Sequence, residues 1–341
     1  MTLFQLNVLL WLTQPLAEAS AITPLLYQRG FSVYAISPAL TVPLDLQTAA
    51  QQAQIAMKSN GRPDVVLTQA SERKFAFVEC KGSSFGTQSD TAEQTRAFLL
   101  IAGARAPEVL GLATTQVMES MLGYLIPESQ RADFYGTLAA LQGELSSRNL
   151  PAGNFSILGL QAGDIALSVT IKDDGSSFFS LPSGSHPIMG LQPDTDPRPL
   201  YFIPYDPDLK ASEQERLFCK RLLFERLHSA VLVTVGRGSP PAELTLATAR
   251  LLNDAMFGMY DLWENRGSAR HMRGLCRQLV RAIARVVNGD VPETFTEDQT
   301  GWKISIPDAD RHRRVIDALS RFSCETMDLR AQPQGELFDE Q

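Results

Sequence analysis

The run Phe75, Ala76, Phe77, Val78, Glu79, Cys80, Lys81 constrains this chain more than any other stretch. With side chains alternating at period two, Phe75, Phe77, Glu79 and Lys81 fall on one face and Ala76, Val78 and Cys80 on the other. Both faces are apolar until Glu79, the pattern of a strand covered on both sides. Such a strand requires a sheet with layers packed over it. It ends by presenting a carboxylate and an amine to the same side, and charges placed there need compensation because burying them unpaired is costly.

Just upstream, Gly61, Arg62, Pro63 and Asp64 lead into Val65, Val66 and Leu67, which puts a second carboxylate at the mouth of a neighbouring apolar strand. A hairpin can bring Asp64 beside Glu79. Two adjacent carboxylates suit Mg²⁺, with Mn²⁺ as a substitute, since Mg²⁺ binds through one or two carboxylates, waters and substrate phosphate. The metal would polarise a phosphate and acidify a water, while Lys81 would orient or deprotonate that water and stabilise developing charge. The simpler alternative is that Asp64 ends a turn and Glu79 forms a surface ion pair with Lys81.

Pro63-Asp64 followed by Glu79-Cys80-Lys81 resembles the PD-(D/E)XK motif of the restriction-endonuclease-like nucleases. Gly61 to Asp64 also fits the GxxD form of RecB-type nucleases, and Gln94-Thr95-Arg96-Ala97-Phe98 is similar to their QxxxY motif with Phe in place of Tyr. The resemblance covers about residues 15–115. It implies catalytic roles for Asp64, Glu79, Lys81 and Gln94, and a metal held by Asp64 and Glu79, with the Cys80 backbone carbonyl facing it. A first-helix acid often joins such sites, and Glu18 is the only acid before Asp45.

Periodicity and turn signals give an α/β reading: helix to about 28, strand 31–36, helix 46–57, strands 64–67 and 74–81, helix 90–104 capped by the Asp90/Glu93 box, and strand 109–114. Strands alternating with helices imply a mixed sheet flanked by helices, restriction-endonuclease-like by the resemblance. Beyond it follow helix 129–147, strands 155–160 and 165–171, a turn at 173–175, and a Pro-rich passage read as linker. From Ser212 the chain reads as mainly helical, with a candidate strand at 230–235 and a hairpin across 294–306 whose Trp302, Ile304 and Ile306 share a face. The expected divisions are 1–118, 119–207, 208–330 and a tail 331–341.

The 341 residues carry 44% hydrophobic and 20% charged side chains, which suits a globular, multidomain chain. Four scattered cysteines form neither a CxxC pair nor a secreted framework, so free thiols in a reducing compartment are expected. The apolar start of the chain lacks Lys or Arg before Arg29 and is interrupted by Gln5, Asn7 and Thr13. It therefore reads as a buried amphipathic helix rather than a secretion signal, and the protein as cytoplasmic with no membrane span.

A net charge of −7 opposes nucleic-acid binding by the whole surface, but charge is uneven. Residues 265–289 hold six arginines and no acid; Arg270, Arg273, Arg277 and Arg281 recur on one helix face, with Arg266 and Arg285 near its ends and Met272, Leu275, Leu279, Ile283 and Val286 opposite. This face is a candidate DNA contact in a domain that reads as winged-helix-like, and a solvated face is the plainer alternative. Near the end, Gln334, Leu337 and Phe338 resemble the QxxLF peptide that docks on bacterial sliding clamps. The sequence thus leads to an expected metal-dependent DNA nuclease of repair, restriction or antiviral defence, with a motor protein, a clamp or a second copy as possible partners. The alternative is a non-catalytic scaffold with the same fold. No GxxxxGK[ST] motif is present, so any ATP-driven step would come from elsewhere.

Overall fold

A computed structural model of the chain describes residues 3–15, 22–112, 118–190, 201–208, 211–298 and 301–330. The chain divides into two compact units, Met1–Leu200 and Tyr201–Gln341.

The first unit opens with α1 (Leu3–Thr13), then β1 (Ser32–Ile36), β2 (Leu40–Thr41), α2 (Leu44–Gln52), β3 (Asn60–Gly61), β4 (Val65–Gln69) and β5 (Lys74–Cys80). It continues through α3 (Asp90–Ala104), α4 (Ala106–Val109), β6 (Glu119–Pro127), α5 (Arg131–Ser147), β7 (Asn154–Ala162), β8 (Ala166–Ile171), α6 (Asp173–Phe179) and β9 (Gly184–Gly190). Seven strands form one mixed sheet in the order β1-β4-β5-β6-β7-β8-β9. The β5–β6 and β6–β7 pairs are parallel and the others antiparallel. The parallel steps need crossovers, which α3 and α5 supply.

Phe75 and Phe77 pack with Val66, Tyr124 and Ile126 into a core shared with Phe98 and Leu99 of α3 and Phe134 and Leu138 of α5. Ala76, Val78 and Cys80 are equally buried but on the other face. Burial on both faces is what the unbroken apolar run of β5 demanded. Helix α1 differs from its amphipathic expectation: all but one of its residues are buried, and the polar ones bond to backbone, Asn7 to the Leu3 carbonyl at 2.9 Å and Thr13 to Leu9 at 2.9 Å. A helix covered all round keeps polar residues only where they find such partners.

Several expected boundaries move. Helix α1 ends at Thr13, far short of 28, and β6 begins at Glu119, while 106–109 is a helical turn started by Pro107 near its N-terminus. The division expected at 118 therefore falls inside the sheet, and the middle region contributes four of its seven strands. The turn at 173–175 opens α6. Part of the Pro-rich passage is β9, where Pro187 sits on the last strand of the sheet beside a register shift, a place where a missing N–H is tolerated. Ser89 rather than Asp90 caps α3, its hydroxyl accepting from the Ala92 amide.

The second unit contains α7 (Glu213–Gly236), β10 (Ala242–Ala247), α8 (Thr248–Ala255), α9 (Arg266–Asp290), β11 (Phe295–Glu297), β12 (Gly301–Ile306) and α10 (Ala309–Arg321). The expected hairpin is present as β11 and β12, and β10 joins it in the order β10-β12-β11. Trp302, Ile304 and Ile306 are all buried. The expected strand at 230–235 is instead the last part of α7, where Val231 and Val235 lie four apart on the buried side. All four cysteines are free and buried, and among the described residues no helix is long and apolar enough to cross a membrane.

Candidate active site

Strands β4 and β5 pair with Val65 opposite Val78, so Asp64 and Glu79 face one another just past the last pair. Position 63 is proline and offers no N–H to continue the ladder. There the Asp64 carboxylate turns back and accepts the Cys80 backbone amide at 2.7 Å. The acid is thereby fixed at the mouth of the hairpin, partly buried.

Glu79 is only 2% exposed. One of its oxygens meets the Lys81 ammonium at 2.8 Å, and the other accepts from the Gln94 amide at 3.3 Å. The same Gln94 amide reaches the Arg62 carbonyl at 3.4 Å, so a single side chain of α3 ties the strand-end carboxylate to the segment before β4. Asp64, Glu79, Lys81 and Gln94 are thus gathered by the fold. The ion pair expected at the surface in the plainer reading is instead formed by a buried acid and a three-quarters buried lysine.

Burial drives Glu79 up to about 8, with the Asp64 charge adding to the effect and Lys81 opposing it. Burial also raises Asp64 despite the Lys81 charge and the Cys80 amide. Burial works against the Lys81 ammonium, yet the Glu79 and Asp64 carboxylates outweigh it and hold the amine above its ordinary value. Lys81 is accordingly a cation at neutral pH and is better placed to stabilise charge than to act as a base.

Two carboxylates facing one another at a strand end, with Asp64 adding to the cost of ionising Glu79, fit a hard divalent cation. Among the described residues no group of three or more His, Cys, Asp or Glu side chains could hold a metal, so a cation here would draw two carboxylates from the protein, as Mg²⁺ commonly does. The Cys80 thiol is not a candidate ligand: it lies in the core of the opposite face, and burial pushes its pKa well up. The Cys80 amide holds Asp64. Glu18 lies outside the described residues, as do Gln334, Leu337 and Phe338.

Sequence reasoning missed two residues. The Gln5 amide on α1 donates to the Lys81 carbonyl at 2.8 Å, anchoring the strand end from a position 76 residues away. Tyr124 sits beside Glu79 in the β5–β6 register, and its hydroxyl shares a 2.7 Å hydrogen bond with Thr95. Burial, aided by Glu79, keeps that phenol protonated. Neither pairing has a sequence signature.

Beside the site a cleft of about 600 Å³ is lined by Thr41, Lys58, Asn60, Gly61, Arg62 and Gln94. Gly61 is required there, because a Cβ would stand 2.8 Å from the Phe98 ring. The RecB-like glycine and the phenylalanine of the QxxxY-like segment are therefore packing partners. Beyond Lys81, the chain is pinned by Arg96, which bonds Glu144 at 2.7 Å and the Thr87 carbonyl at 2.9 Å.

On α9, Arg270 and Arg273 are exposed while Arg277 and Arg281 are half-buried. Arg281 pairs with Glu297 at 2.7 Å, and Arg273 donates to the Tyr260 hydroxyl at 3.3 Å. Val286, expected on the apolar side, is exposed, and Val287 is buried in its place. Comparison of the chain with models of protein families, with curated proteins and with solved structures finds no match to any of them.

Proposed function

We propose that the first unit is a metal-dependent phosphodiesterase acting on DNA, of the PD-(D/E)XK type. The observation that carries this reading is the paired strand end: Asp64 held by the Cys80 amide opposite a buried Glu79 that Gln94 and Lys81 hold in place. A sheet with helices on its faces and the parallel β5–β6 step support the same reading.

Asp64 and Glu79 would hold Mg²⁺ or Mn²⁺, which when bound would polarise the scissile phosphate and acidify a water. Gln94 fixes the Glu79 carboxylate so that little rearrangement is needed when substrate arrives. The Lys81 ammonium, 2.8 Å from Glu79, would stabilise the charge that builds on a phosphate held beside it. Lys58 and Arg62 in the adjoining cleft would contact neighbouring phosphates.

The test is cleavage of supercoiled, linear and single-stranded DNA by the purified full chain with Mg²⁺, Mn²⁺ or EDTA. Cutting that needs metal and disappears in Asp64→Asn and Glu79→Gln supports the reading; cutting that survives both substitutions refutes it.

One observation favours a second reading, a scaffold that keeps this fold without catalysis: Lys81 already neutralises Glu79 within the protein. A chain that binds DNA, takes up no Mn²⁺ and cuts nothing would be that scaffold.

A further inference from the structure

The second unit carries a basic helix whose apolar side is fully used. In α9, Met272, Leu275, Leu279, Ile283 and Val287 are buried, and the arginines follow an adjacent stripe. The elements around it run helix, strand, helix, helix, strand, strand, with β10 pairing to β12 and β12 to β11. The basic helix directly precedes the β11–β12 hairpin, and a single α-helix is what the major groove of duplex DNA admits.

The arginines of α9 are not equivalent. Arg281 is committed to Glu297, whereas Arg285, one turn further on, is exposed. Arg266 and Arg270 are exposed, and neither makes a hydrogen bond or ion pair among the described residues. Arg273 is exposed as well, and among the described residues its hydrogen-bond partner is the neutral Tyr260 hydroxyl. The exposed apolar residue of α9, Val286, lies in the other half, so the N-terminal half offers charge without an apolar anchor for a protein or a lipid surface.

We infer that α9 docks in the major groove of duplex DNA through Arg266, Arg270, Arg273 and Arg277. From Arg266 to Arg277 the helix rises about 16 Å at 1.5 Å per residue, enough to reach phosphates on both walls of a groove about 12 Å wide. Guanidinium groups suit this task because they bind phosphate and guanine edges with two parallel hydrogen bonds. The glutamate on β11 takes Arg281 out of the docking stripe. The inference stands apart from the nuclease reading, since duplex binding without cleavage leaves it intact.

The experiment is fluorescence anisotropy of a labelled 20-base-pair duplex with the full chain in EDTA, over a series of salt concentrations. Arg266→Ala combined with Arg270→Ala is expected to weaken binding at least tenfold and to flatten the dependence of log K on log salt by about 2, near 0.9 for each phosphate that is no longer neutralised. Arg281→Ala is expected to stay within about twofold of wild type. The inference is overturned if the double variant binds as wild type does, if the single strand of the same sequence binds as tightly as the duplex, if Arg281→Ala loses as much as the pair, or if wild type binds no duplex even at low salt. Both altered arginines are exposed and have no partner among the described residues, and a thermal melt matching wild type shows that the fold survives.

Discussion

The Cys80 amide donates to the Asp64 carboxylate at 2.7 Å, so the end of one strand holds the acid that begins the strand beside it. The acid sits where proline has removed the ladder's own donor, and a backbone amide rather than another side chain holds its carboxylate. Under the proposed function this acid would be pre-set for chemistry at some cost to stability. Asp64→Asn keeps an acceptor for the amide and removes a charge facing Glu79. We expect the metal-free variant to melt at a higher temperature than wild type while losing cleavage; a lower melting temperature would mean that the charge itself stabilises the fold.

Glu79 gives stability a sign that can be read against pH. Its folded pKa, raised to about 8 by burial, lies above the ordinary value of 4.5, so the folded state binds more protons between these values. Its favourable contribution is complete below about 4.5 and is lost as pH rises through about 8. Urea midpoints of the metal-free chain should therefore fall from pH 5 to pH 9, and Glu79→Gln should flatten that slope. An unchanged slope in the variant would locate the titration elsewhere.

The same two carboxylates should link metal to stability. Mg²⁺ or Mn²⁺ binding requires them ionised, so the rise in melting temperature on adding metal should grow from pH 6 to pH 9. It should vanish in Glu79→Gln. A metal effect of equal size in the variant would show binding at some other place.

Gly61 and Phe98 provide a test of packing alone. A Cβ at position 61 would lie 2.8 Å from the buried Phe98 ring, so Gly61→Ala should cost about 1–3 kcal/mol in chemical denaturation, the usual range for overpacking. Gly82, where an added Cβ meets nothing within 4 Å, is the control, and its alanine variant should lie within about 0.5 kcal/mol of wild type. Equal effects at the two positions would show that the close approach carries no weight.

Much of this arrangement was legible from local pattern. The two-faced apolar run of β5, the Pro63-Asp64 pair and Gln94 on the next helix sit where period and turn signals placed them. The helix expected over 90–104 has those bounds, and only its cap shifted, because the preceding Ser89 is a good capping residue in extended geometry. The misses were set by tertiary packing. Val231, Val233 and Val235 favour a strand by propensity, but α7 continues through them because two of the three are buried on one side. Pro187 argued for a linker, and only its place on the last strand allows β9. The role of Gln5 depends on α1 packing over the ends of β5 and β6, a pairing that no local signal encodes.

Gln94 separates positioning from folding. It lies at the cleft and holds Glu79, and it is not part of the buried core. Gln94→Ala should lower the cleavage rate by about 10–100-fold, in line with loss of a supporting partner of a metal ligand, and leave the melting temperature within 2 degrees or so. A large loss of stability would make Gln94 structural instead.

The central claim, that Lys81 serves chemistry rather than the fold, is tested most directly by single-turnover cleavage of duplex DNA at saturating Mn²⁺, comparing wild type with Lys81→Ala and measuring DNA affinity for both in EDTA. The account expects affinity to change little and the cleavage rate to fall by about 10²–10⁴-fold. Cleavage by the variant at the wild-type rate, or an affinity loss that accounts for the whole effect, would contradict it.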